Sequence, residues 1–230
     1  MPISLICLDA DDTLWQNMRH FNEAEAAFVA LLAPFADANI ARKALEACET
    51  RNLPLYGYGA KSFTLSLIET AVELAPGEID AGMVQDILAA GRRLLAHPVE
   101  LLNDIEATLD LLASRARLIL VTKGDLLHQE AKLAASGLGD RFSGVEIVSD
   151  KRVATFERIF QTYGVAPQEA LMAGDSMRSD ILPALGAGAW AAHIPQGGAW
   201  SHEHADAPDS ARFRALERLA DLPAWVDSIA

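Results

Sequence analysis

Positive charge is scarce in this chain. Its 230 residues carry 19 Lys and Arg against 32 Asp and Glu, for a formal net charge of -13 and a pI near 4.8. No basic stripe runs along it, which argues against nucleic acid and anionic membrane as partners. Cysteine is scarcer still, with Cys7 and Cys48 alone. Two thiols in apolar stretches read as small buried hydrophobes, imply no disulfide framework, and fit a reducing, cytoplasmic setting. Long hydrophobic runs are missing, since no stretch approaches the roughly 20 apolar residues of a membrane span. The N-terminus lacks the basic region and long apolar run of a signal peptide. There is no internal repeat and no low-complexity tract. What is present is an acidic chain that is 51% hydrophobic, enough for a substantial core in one or two domains.

The most informative stretch is the first. Ile3 to Leu8 is a short apolar run that stops abruptly at Asp9, Asp11, Asp12 and Thr13. Its length suits a buried strand of a parallel sheet. Ligands of open α/β sheets sit just past the carboxyl ends of strands. Asp9 and Asp11, two residues apart, leave an extended segment on the same side. Two like charges held there repel unless a cation lies between them.

After Trp15 the pattern turns helical. Helices are expected over Asn17 to Ala33, Ile40 to Arg51 (ended by Pro54), Ser62 to Leu74 and Ile79 to Ala96, with a loop from Leu55 to Lys61. No strand interrupts this small helical bundle. From Pro98 the rhythm becomes α/β. Leu101, Ile105, Leu109 and Leu112 mark a helix face, and strands are expected at Leu118 to Val121, Val145 to Val148, Ala170 to Ala173 and Ala189 to Ile194. Helices intervene, and the tail from Ser210 to Ile229 reads as helical. Strands alternating with helices imply a parallel, doubly wound sheet.

The first four strand ends carry Asp9 and Asp11, Thr122, Lys151 and Asp175, and right-handed crossovers bring them to one edge. Together they suit phosphoryl transfer. Asp9 would be the nucleophile, since carboxylates form aspartyl-phosphate intermediates. Asp11 would protonate the leaving oxygen and later deprotonate water. Thr122 would hydrogen-bond a phosphoryl oxygen, helped by the backbone N–H of Lys123 or Gly124. Lys151 would neutralise charge. Asp175 would complete a Mg²⁺ site with Asp9, the Asp11 backbone carbonyl lying at the edge of the metal's coordination sphere or outside it, and Asp180 would bind the metal directly or through water.

These residues resemble a known family. D-A-D-D-T-L at 9–14, the strand ending in Thr122, Lys151, and G-D-S-M-R-S-D at 174–180 look like the four motifs of the haloacid dehalogenase-like hydrolase superfamily. The resemblance covers essentially the whole chain. It implies a Rossmann-like core, an Asp9 nucleophile, an Asp11 acid/base and Mg²⁺ as cofactor. It also implies that the helical insertion is a type-one cap, giving a core of 1–15 and 98–230 and a cap of 16–97. Three departures stand out. Asp12 replaces the family's usual Gly, Lys123 its usual Asn or Ser, and Arg152 the usual Pro after the lysine.

The expected activity is Mg²⁺-dependent hydrolysis of a small phosphorylated metabolite. Trp15, Tyr58 and Lys61 are candidates for substrate choice. A 2-haloacid dehalogenase is an alternative with the same nucleophile, opposed by Asp11 and the Asp175/Asp180 pair. A sugar phosphomutase is another, kept open by Lys61, and a phospho-binding module without turnover is a third. His202 and His204, flanking Glu203, read as part of a polar loop and not as a metal site. Monomer and homodimer are both compatible with the sequence.

Overall fold

The computed structural model describes residues 2–196, 203 and 205–229, so His202 and His204 lie outside the described residues. In chain order the elements are β1 (Leu5–Leu8), α1 (Met18–Leu31), α2 (Ala38–Tyr56), α3 (Ala60–Leu74), α4 (Ala81–Ala96) and α5 (Ile105–Ala113). Then come β2 (Arg117–Lys123), α6 (Leu126–Ser136), β3 (Gly144–Val148), α7 (Val153–Tyr163), β4 (Ala170–Gly174), α8 (Leu182–Gly186), β5 (Trp190–His193), β6 (Phe213–Ala215) and α9 (Leu222–Ile229). They form two compact bodies. One comprises residues 1–18, 99–123 and 129–230, the other 19–98 and 124–128.

The first body is a six-stranded sheet in the order β3-β2-β1-β4-β5-β6, with every pair parallel. Strand β1 is central, and Leu5, Ile6, Cys7 and Leu8 are all fully buried. A parallel strand covered on both faces reads as an unbroken apolar run, which is why β1 shows no alternation. The two faces sort by parity. Ile6, Leu8, Leu118, Leu120 and Leu171 pack with Ile105 and Leu109 of α5 and Leu222 of α9. Leu5, Cys7, Ile119, Val121 and Met172 pack with Phe156 and Phe160 of α7 and Ala184 of α8. Burying such side chains supplies about 1.5–3 kcal/mol each.

Two sequence expectations change here. The tail is not helical throughout, because Phe213 to Ala215 pair with Ala191 to His193 as edge strand β6. Three residues, with Arg212 before them and Arg214 among them, are too short to show a strand period, and a short charged edge resists further pairing. Leu101 lies before α5, where it forms an antiparallel bridge with Trp15.

The second body is the helical one. Phe28, Leu32, Leu45, Phe63, Leu67, Ile87 and Leu94 make its core. Helix α2 does not stop at Pro54 but runs on to Tyr56, with Gly57 N–H donating to Leu53 O at 3.0 Å. Proline in the last turn forfeits one ladder bond, and so few remain beyond it that the helix continues. The expected loop therefore shrinks to Gly57, Tyr58 and Gly59, whose glycines take φ of 72° and 108°. Lys61 falls in the first turn of α3. Among the described residues, no helix is long and apolar enough to cross a membrane.

Candidate active site

The site grows from the end of β1. Asp9 N–H still donates to Ala173 O at 3.0 Å, so the residue stays in register with β4 while its side chain clears the strand. The chain then turns through Asp12, at φ 59°, a left-handed conformation that Asp tolerates better than most residues. Asp12 carboxylate oxygens accept N–H bonds from Asn17 at 2.9 Å and Met18 at 3.0 Å, at the start of α1. It therefore faces backbone and stabilises a helix N-terminus. Thr13 Oγ1 donates to Asp9 Oδ2 at 3.2 Å and accepts from Asp175 N–H at 3.1 Å, tying the first strand end to the fourth.

Lys151 sits just before α7. Its Nζ is hydrogen-bonded to Asp9 Oδ1 and, at 2.6 Å, to Asp180 Oδ1. Lys151 is 3% exposed and Asp180 1%. Asp180 lies in a π turn over Met177–Ile181, and its Oδ2 accepts from Ser176 N–H at 3.0 Å. Such π segments often mark functional sites. Gly174 lets this happen, since a Cβ there would stand 2.2 Å from Asp180 Oδ2. Burial raises the Asp9 carboxyl to about 7, with Lys151 opposing and Asp180 adding to the rise. Asp175 is driven well above the ordinary range by burial and by the Asp9 and Asp180 charges. Lys151 is pushed upward, because the Asp180 and Asp9 charges outweigh burial.

Asp11 turns its side chain another way. Its Oδ1 accepts from Trp15 Nε1 at 2.7 Å and Lys132 Nζ at 2.6 Å. Its Oδ2 accepts from Lys132 Nζ at 2.7 Å and Gln129 Nε2 at 2.9 Å. Burial works against its ionisation, but the Lys132 ammonium and these hydrogen bonds outweigh it and hold the carboxyl below the usual range. Gln129 Nε2 also donates to Thr122 Oγ1 at 3.0 Å, so Asp11 and Thr122 share one amide. Trp15 is correspondingly fully buried, packed among core residues. Trp15, a candidate for substrate choice in the sequence, is here a core side chain and a hydrogen-bond donor to Asp11.

The Lys123 side chain leaves the strand end for the β4 loop. Its Nζ donates to Ser179 Oγ at 2.7 Å and pairs with the Glu203 carboxylate, which also accepts from Ser176 Oγ and, at 2.6 Å, from Ser179 Oγ. Gly124 follows directly, at φ 137°. In the helical body Lys61 Nζ pairs with Asp125 Oδ2 at 2.8 Å, and Tyr58 is partly exposed in its glycine-flanked turn. Gln129, Lys132, Ser176, Ser179 and Glu203 were not among the expected site residues. The one available signal was the three-residue spacing of Gln129 and Lys132, which puts them on one face of α6.

The donor set suits a hard divalent cation. Asp9, Asp175 and Asp180 each offer a carboxylate oxygen, and these lie within 4.8 Å of one another. All are oxygen ligands, and the crowding that raises Asp9 and Asp175 is what a cation relieves.

The model of a hydrolase family, haloacid dehalogenase-like hydrolase, matches residues 3–188. Phosphoserine phosphatase of Thermus thermophilus is 29% identical over 231 residues, covering 85% of this chain and 90% of that protein. Human N-acylneuraminate-9-phosphatase is 31% identical over 93 residues, and the match spans only 38% of either protein. A haloacid dehalogenase-like family hydrolase from Xanthomonas campestris superposes with a TM-score of 0.90 at 37% identity, covering 99% of this chain and 91% of that one. L-2-haloacid dehalogenase from Xanthobacter autotrophicus, at 19% identity and a TM-score of 0.66 over 99% of this chain and 100% of that one, shares the fold. With its four motifs on one parallel sheet and a family match over most of its length, the chain belongs to the haloacid dehalogenase-like hydrolases.

Proposed function

We propose that this hydrolase is a Mg²⁺-dependent phosphatase that cleaves a small phosphorylated metabolite through an aspartyl-phosphate on Asp9. The observation that carries the reading is the group of buried Asp9 and Asp180 with half-buried Asp175, closed on one side by Lys151. A dehalogenation at carbon has no use for three converging carboxylates. The phosphatase names of the Thermus and human relatives agree with this reading.

Asp9, Asp175 and Asp180 would hold the metal, with the Asp11 backbone carbonyl. Bound Mg²⁺ would neutralise charge shared between carboxylate and phosphoryl oxygens. Lys151 favours the ionised form of Asp9 against its burial and orients it for attack. An Asp9 oxygen forms a bond to phosphorus as the bond to the leaving oxygen breaks. Thr122 Oγ1 and the N–H groups of Lys123 and Gly124 bind the phosphoryl oxygens during that change. Asp11, ionised beside Lys132 in the free protein, takes a proton from the phosphomonoester monoanion as substrate binds and gives it to the leaving oxygen. Water then attacks phosphorus, its proton passes to Asp11, and Asp9 is released with inorganic phosphate. On the same reading the helical body is the cap, with Tyr58 and Lys61 as its specificity candidates. Lys61 as a grip for a second phosphate would first have to leave Asp125, which weighs against the mutase.

The test is turnover of small phosphomonoesters by the purified protein and by Asp9→Asn. The unsubstituted protein should lose activity in EDTA and regain it with Mg²⁺, and the variant should be inactive although folded. Undiminished turnover after chelation, or an active Asp9→Asn protein, would overturn the reading.

A further inference from the structure

Lys132 is a buried lysine, 4% exposed, that the chemistry above does not use. A buried ammonium is costly unless it is paired. Its Nζ reaches both oxygens of Asp11, at 2.6 and 2.7 Å, and Asn17 Oδ1 at 3.3 Å. One turn back on α6, Gln129 Nε2 faces three acceptors: Asp11 Oδ2 at 2.9 Å, Thr122 Oγ1 at 3.0 Å and Lys123 O at 2.8 Å. An amide nitrogen carries two hydrogens. Three acceptors therefore share two hydrogens, and one acceptor can let go without leaving a donor unmade.

We propose that Lys132 and Gln129 are positioning residues for the acid/base of the reaction, with Lys132 the anchor that fixes the Asp11 carboxylate and Gln129 the shared donor that leaves Oδ2 as its working oxygen. This rests on the reading of Asp11 as acid/base. Trp15 Nε1 and Lys132 Nζ hold Oδ1 from two sides. Oδ2 keeps Lys132, and its second donor has two other oxygens to turn to. The Gln129 amide also links Asp11 to Thr122, so the group that handles protons and the group that grips phosphate are set by one side chain. Gln129 Oε1 is buried with no hydrogen-bond partner among the described residues. An acceptor left so beside Asp11 and Thr122 fixes no alternative orientation of the amide, because exchanging its nitrogen and oxygen would turn the oxygen on a carboxylate.

A group that positions a general acid matters most where the leaving oxygen needs a proton. The experiment measures kcat/KM, which reports the steps through departure of the leaving group and not the later attack of water, on p-nitrophenyl phosphate, whose leaving group needs little help, and on glycerol phosphate, whose alkoxide needs much. Lys132→Met should lower kcat/KM on glycerol phosphate by about 100-fold, the scale of an ångström of misplacement, and on p-nitrophenyl phosphate by less than about 5-fold. Lys132→Arg should restore most of the difference, and Gln129→Met should show the same asymmetry if Lys132→Met does not fold. Asp11→Asn is the control and should be asymmetric in the same sense. Equal losses on both substrates for Lys132→Met and Gln129→Met, with an asymmetric Asp11→Asn, would overturn the positioning role alone. Equal losses for Asp11→Asn would overturn the acid/base reading and the proposal with it.

Discussion

Asp12 occupies the place where the family's first motif usually has glycine, and its backbone explains both choices. At φ 59° the position favours glycine, but aspartate can adopt it and adds a carboxylate that caps two amides of α1. Burial raises Asp12 to about 6 despite those amides, so its charge is carried at some cost beside an acidic site. Gly174 has no such substitute. A methyl group there would meet Asp180 Oδ2 at 2.2 Å and Cγ at 2.5 Å. Gly174→Ala should displace Asp180 from Lys151 and from the other two acids. The expected outcome is a fall in kcat of at least about 10-fold, read with the Mg²⁺ concentration giving half-maximal activity, which should rise. At this scale Asp9, Asp11, Thr122, Lys151, Asp175 and Asp180 could be picked out of the sequence because each ends a strand or opens a helix. Lys132 and Gln129 could not, because nothing local distinguishes a helix lysine that reaches a carboxylate from one that reaches water.

Helix α2 carries a half-buried acid with a different consequence. Burial, and then the Glu25 and Glu46 charges, raise Glu49 to about 7. A carboxyl raised in the fold takes up its proton more readily there than in the unfolded chain, where it titrates near about 4.3. Ionised Glu49 therefore costs the helical body stability, and the cost grows as pH rises from about 4 through 7. Glu49→Gln should raise the melting temperature by a few degrees at pH 8 and leave it nearly unchanged at pH 4, measured by circular dichroism. Element by element, the strands around the site were legible because parallel strands buried on both faces are unbroken apolar runs. Strand β6 was not, because its three residues pair only once β5 is in place. The α2 boundary was misjudged because proline was read as a stop, although near a helix end it removes only one bond.

The whole chain carries a net charge of -13 and gathers some of its acid where solvent cannot screen it. With Asp9 at about 7 and Asp175 also raised well above its ordinary value by burial, these carboxyls hold protons in the fold that the unfolded chain has lost by about pH 4 to 5. Stability in EDTA should therefore decline as pH rises from 5 to 8. A cation bound only by the native state should offset this, by about 2.7 kcal/mol at a hundredfold excess over its dissociation constant. Thermal melts at pH 8 should show Mg²⁺ raising the transition of the unsubstituted protein and leaving Asp175→Asn almost unmoved; equal shifts in both would remove Asp175 from the metal site. Sequence alone determined the parallel α/β body, the helical segment after the first strand, and the order in which the reactive groups line one sheet edge. Those properties follow from apolar periodicity and from the handedness of the crossovers, both of which are local or generic. Tertiary structure alone decided that Lys151 bridges Asp9 and Asp180, that Lys132 holds Asp11 from 121 residues away, and that Trp15 is core. Such pairings depend on how each helix is rolled against the sheet, and that roll is set by the packing of the whole core and not by any one stretch of the chain.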